Sequence, residues 1–71
     1  MDLKWEEDFT ITVKIQDGTA VISADKGGLL SLANHMISLA NEPAGSHLHL
    51  DQYNALEDGS AELILEKSAK P

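Results

Sequence analysis

Three residues capable of ligand or proton-transfer chemistry fall at alternate positions in one short tract: His47, His49 and Asp51 in SHLHLD. In an extended strand such side chains leave the same face, about 7 Å apart in pairs. Two imidazoles at that spacing can hold a metal ion, and a carboxylate in line can be a third ligand. Glu62 or Glu66, paired across from a neighbouring strand, would complete the set. His49 beside Asp51 also has the parts of a general base with its orienting carboxylate. Both chemistries lack support around them. The outer partners that orient ligating imidazoles are not visible, and no nucleophile motif or oxyanion loop accompanies the pair. Ser46 and Ser60 read as strand-edge and turn residues. The expectation is no catalysis, no resident metal and no cofactor, with His47 and His49 as polar residues on a solvated sheet face; the alternative is a small metal-binding or metal-regulated domain using His47, His49 and Asp51.

The acids form a larger pattern. Twelve Asp and Glu stand against five Lys and no Arg, a net charge of −7. Phosphate backbones are gripped by clustered cations, which argues against nucleic acid as a partner. An acidic surface steers basic proteins toward it, and it also keeps a small protein soluble. Asp51, Glu57, Asp58, Glu62 and Glu66 gather in the last third of the chain, and Glu6, Glu7 and Asp8 near the start. Tyr53 and Trp5 lie beside these clusters, and both residue types anchor interfaces. The plain alternative has Trp5 capping one end of the core and Tyr53 packing under its own turn. The expected partner-binding set is therefore His47, His49, Asp51, Tyr53, Glu57, Asp58, Glu62 and Glu66.

Positioning these residues falls to five elements. Phe9 to Gln16 alternates apolar and polar, a half-buried strand with Phe9, Ile11, Val13 and Ile15 inward. Asp17-Gly18 favours a type I′ turn, after which Thr19 to Ala24 returns as a strand with Ala20, Ile22 and Ala24 inward. Leu29 to Asn41 reads as a helix. At about 100° per residue, Leu29, Leu30, Leu32, Ala33, Met36, Ile37, Leu39 and Ala40 share one half of the cylinder. Ser31, Asn34, His35, Ser38 and Asn41 take the other half, so His35 is expected in solvent. Asp25 is the expected N-cap. Gly27-Gly28 either loosens the first turn or allows a close backbone approach; an anion cradle there has only Lys26 nearby. Pro43 and Gly45 end the helix. Ser46 to Asp51, with Leu48 and Leu50 inward, and Ser60 to Lys67, with Leu63 and Leu65 inward, are the last two strands. Gln52 to Gly59 joins them. The expected fold is α+β, a two-layer ββαββ arrangement with one helix packed on one face of a four-stranded sheet. The strand order is undecided and the second sheet face is left open.

Seventy-one residues make a single domain, with 1–8 a loose lead-in, 9–67 the ββαββ core and 68–71 a disordered tail. So small a core has a narrow stability margin, which leaves a homodimer open. The absence of cysteine removes disulfides and thiolate metal sites. The acidic start MDLKWEEDF is unlike a signal peptide, and nowhere do about 18–20 continuous apolar residues occur. A soluble, cytoplasmic protein with no membrane partner is expected.

From Gly28 onward the chain resembles the immunity protein 32 family of bacterial polymorphic-toxin systems. The resemblance is carried by GLLSLA at 28–33, GSHLHLD at 45–51, LEDGS at 56–60 and ELILEK at 62–67. None is a catalytic signature, and the first hairpin fits the layout without a distinctive motif. The resemblance implies a non-catalytic antidote that binds and neutralises a cognate toxin, often a nuclease, made by the same cell. A nuclease presents a basic nucleic-acid groove, which an acidic face can occupy.

Overall fold

The computed structural model describes residues 1–70; Pro71, the end of the expected tail, lies outside the described residues. The elements run β1 (Ile11–Gln16), β2 (Thr19–Ala24), α1 (Lys26–Ala40), β3 (His47–Leu50) and β4 (Leu63–Glu66). Asp17 and Gly18 both take positive φ, 50° and 80°, the requirement of a type I′ turn. They close β1 on β2 in antiparallel register, with Val13 opposite Ile22. Asp25 caps α1 as its position predicts. Its carboxylate accepts from the Gly28 N–H at 2.7 Å and from the Thr10 N–H at 3.1 Å. Those bonds, Thr10 foremost and Gly28 next, hold its pKa below the usual carboxylate value. One side chain thus pins the helix start to the foot of β1. Gly28 makes the approach possible, because a Cβ there would strike the Thr10 carbonyl oxygen as well as Ala24 and Ile11. Close packing is the use of this glycine.

The expected four-stranded sheet is not formed. Among the described residues β1 pairs only with β2 and β3 only with β4, giving two separate two-stranded antiparallel sheets. The reason lies in the β3–β4 connection, which occupies the outer edge of β1. Glu57 N–H donates to the Ile11 carbonyl at 2.9 Å and Ala61 N–H to the Val13 carbonyl at 2.8 Å. Val13 N–H donates to Ser60 Oγ at 3.2 Å. With these groups satisfied, that edge offers no ladder to another strand. The core follows the same logic: Ile11, Val13, Leu32, Leu50, Ala55 and Leu56 come from both hairpins, the helix and the connection.

The helix is also turned from its expected orientation. Gly28, Ser31, Leu32, His35 and Leu39 are buried. Leu29, Leu30, Met36 and Ile37 remain 55%, 43%, 47% and 64% exposed, and Ala33 and Ala40 are exposed too. The amino-terminal segment explains this. It lies along the polar side of α1, where Ser31 Oγ accepts from Glu6 N–H at 2.8 Å. Asn34 Nδ2 donates to the Lys4 carbonyl at 3.3 Å, and Ser38 Oγ to the Asp2 carbonyl at 2.7 Å. An extended backbone presents polar groups at alternate residues, and a helix stripe three to four residues apart can meet them. Trp5 covers His35 edge-on at 4.1 Å between ring centroids and stacks on Phe9 at 4.8 Å. Polar side chains are inside because a backbone is there to bond them.

Ile15 and Ile22 depart from the inward pattern as well, at 61% and 38% exposure, and Ala20 is exposed with them. The helix docks at the foot of the first hairpin, so the far half of that hairpin stands clear of it. At the other end of α1, Lys67 Nζ donates to the Ala40 and Glu42 carbonyls, both at 2.7 Å. A cation on the free carbonyls of a helix terminus offsets the negative end of its dipole. Here β4's flank supplies it. Among the described residues no helix is long and apolar enough to cross a membrane.

Candidate protein-docking face

Strand β3 is short because Gly45 turns sharply at φ 89° before it and the Asp51 turn follows it. Within it the alternation sorts the side chains cleanly. Leu50 is buried and Leu48 half-buried, while His47 and His49 are exposed. The register sets His47 opposite Glu66 and His49 opposite Ile64. By the same period Glu62 shares the outward side with Ile64 and Glu66, and all three are exposed, whereas Leu63 and Leu65 are half-buried. The outward face of the second hairpin is therefore two imidazoles, two carboxylates and one aliphatic side chain. Ile64 belongs to that face although no polar pattern marks it; its even-numbered place in β4 is the signal.

The two imidazoles meet edge to face, ring centroids 5.0 Å apart. His47 Nδ1 is 3.1 Å from the Gly45 carbonyl, so that nitrogen carries the proton and donates. Asp51 does not join them. Its Oδ1 accepts from Tyr53 N–H at 2.8 Å, and its carbonyl accepts from the N–H groups of Asn54, Ala55 and Leu56. The carboxylate is thereby committed to the turn, in the local side-chain-to-backbone pattern that Asp favours. Among the described residues no three of His, Cys, Asp and Glu are gathered as a metal ion would require. The His47–His49–Asp51 set thus loses its third ligand to backbone chemistry.

Asn54 locks the same turn from the other side. Its Oδ1 accepts from Asp51 N–H at 2.9 Å and its Nδ2 donates to the His49 carbonyl at 2.9 Å. The result holds Tyr53 out in solvent at 88% exposure, rather than under its own turn. Glu57 and Asp58 follow on the exposed stretch whose backbone clasps β1. Trp5 takes the plainer of its two expected roles and caps the core over His35. Beside His49, a shallow groove of ≈ 440 Å³ runs between Leu3, Trp5 and Phe9 on one bank and Leu48 and Leu50 on the other. Of the expected set, His47, His49, Glu62 and Glu66 share one sheet face. Tyr53, Glu57 and Asp58 stand on the connection at the end of the hairpin, and Asp51 is turned into it.

The sequence model of the family described as immunity protein 32 matches residues 19–68, from the start of β2 through the end of β4. The chain belongs to the immunity protein 32 family. Within this immunity protein the match takes in α1, both strands of the second hairpin and the connection between them, and it leaves out β1 and the amino-terminal strap. No curated protein and no solved structure matches the chain. His35, expected in solvent, is not among the predicted site residues. It is buried, with neither ring nitrogen hydrogen-bonded, and burial pushes its pKa below the ordinary imidazole value.

Proposed function

We propose that this immunity protein neutralises a cognate toxin by binding it directly, with the second hairpin and its connection as the contact. The observation that carries the reading is the exposure of Tyr53, Glu57, Asp58, Glu62 and Glu66 on a hairpin and connection whose inward side, Leu50, Ala55 and Leu56, serves the core. Tyr53 offers a large amphipathic side chain to a pocket, and such residues dominate binding energy when desolvated. The surrounding carboxylates complement Lys and Arg on a basic partner and accelerate its approach. A nuclease toxin is the partner class that fits best, since its nucleic-acid groove is basic. Inhibition of this kind is steric and electrostatic and requires no catalytic group. It also requires no metal, cofactor or membrane, and it takes place in the cytoplasm of the producing cell.

The partner to try is the carboxyl-terminal domain of the polypeptide encoded immediately upstream. The purified protein is expected to abolish that domain's activity at a defined stoichiometry. The triple charge reversal Glu57→Lys, Asp58→Lys and Glu62→Lys should slow association at least tenfold at low salt and flatten its dependence on ionic strength. Asp51 is left out because its carboxylate holds the turn. Association unchanged in rate and in salt dependence would remove the second hairpin from the contact.

A further inference from the structure

The outer stripe of α1 leaves four large apolar side chains in solvent, and we propose that it pairs with the same stripe of a second copy of this chain. The stripe consists of Leu29, Leu30, Ala33, Met36, Ile37 and Ala40. Its exposure is not incidental, because the helix buries Ser31 and His35 while leaving these residues in solvent. Leu29, Ala33, Met36 and Ala40 recur at intervals of four, three and four, the seam of a helix pair. Leu30 and Ile37 flank the seam one heptad apart.

The pattern is complementary to itself in one direction. With two helices antiparallel, Leu29 of one copy lies opposite Ala40 of the other, and Met36 opposite Ala33. Each long side chain then meets a short one, so the helices can approach closely across a two-fold axis. Charge points to the same occupant. The chain carries −7, yet α1 contains no acid, and its one charge, Lys26, stands at its first position. Self-repulsion between copies is therefore weak along this helix. The antiparallel register also brings Lys26 of one copy toward Glu42 of the other. A basic toxin would find nothing on the stripe to match its charge. The six residues leave roughly 450 Å² of apolar surface open on each copy, so pairing covers on the order of 900 Å² before the rim is counted, the size of a weak specific interface.

Sedimentation velocity of the full chain at 0.15 M salt tests this. A shift from monomer at about 1 μM to dimer by about 200 μM is expected for an interface of that size. Ile37→Glu should weaken the dimer at least tenfold while the thermal melt of the monomer stays unchanged, since Ile37 is 64% exposed. Direction is read by cross-linking, since the chain has no cysteine of its own. Positions 29 and 40 are about 16 Å apart along one helix, too far to bridge within a chain. Leu29→Cys with Ala40→Cys should oxidise to a covalent dimer, and Leu29→Cys alone should not. A monomer at every concentration, a dimer untouched by Ile37→Glu, or equal bridging by Leu29→Cys alone would each overturn the proposal. A monomer in which Ile37→Glu instead abolishes toxin binding would overturn it too and give the stripe to the toxin.

Discussion

His35 has its imidazole inside the protein with both nitrogens unpaired and Trp5 edge-on against it. A buried polar group without a partner costs about 1–3 kcal/mol, so His35→Leu should leave the fold as stable at pH 7.5 or more so. The pH dependence has a definite sign. With the folded pKa below the 6.5 of a free imidazole, the unfolded chain binds the proton first, so stability falls as the pH drops below 6.5. Well above that pH both states are neutral and His35 contributes no slope. Urea melts followed by the fluorescence of the one tryptophan should show wild type losing stability from pH 6.5 downward relative to His35→Leu. Parallel pH profiles would contradict the assignment. From sequence, His35 reads as a solvent residue because periodicity sorts side chains by polarity. It has no means of knowing that Ser31, Asn34 and Ser38 are met by the backbone of residues 2–6. His47 and His49 were legible because their exposure depends only on strand alternation.

At the scale of elements, local signals located nearly everything and long-range ones were silent. The Asp17-Gly18 turn, the Asp25 cap and the helix stop before Pro43 depend on residues within a few positions, and all three are found. Pairing between the hairpins depends instead on which backbone reaches the outer edge of β1. That edge goes to Glu57, in the expected turn region, and to Ala61, near the start of the tract expected as the last strand. Lys67 is a further long-range tie. Its ammonium bonds the carbonyls of Ala40 and Glu42 and fastens the second hairpin to the end of α1. Lys67→Met keeps the stem and removes the charge, and should cost about 1–2 kcal/mol. In a domain of this size that lowers the melting temperature by roughly 5–10 °C. An unchanged melting temperature would mean the helix terminus is as well satisfied by water.

The whole molecule is a slab, 31 × 31 × 19 Å along its principal axes, with different chemistry on different surfaces. One sheet face bears imidazoles and carboxylates around Ile64, the turn beside it lifts Tyr53 into solvent, and the helix presents an uncharged apolar stripe. Family membership makes a toxin the partner to seek; the proposed division of surfaces gives it the acidic hairpin and gives the stripe to a second copy. An NMR titration of the isotopically labelled protein with the unlabelled toxin domain separates these surfaces residue by residue. The largest shifts are expected at His47, His49, Tyr53, Glu57, Asp58 and Ile64. Shifts confined to the Leu29–Ala40 stripe or to the Asp17-Gly18 turn, with the second hairpin unmoved, would contradict it.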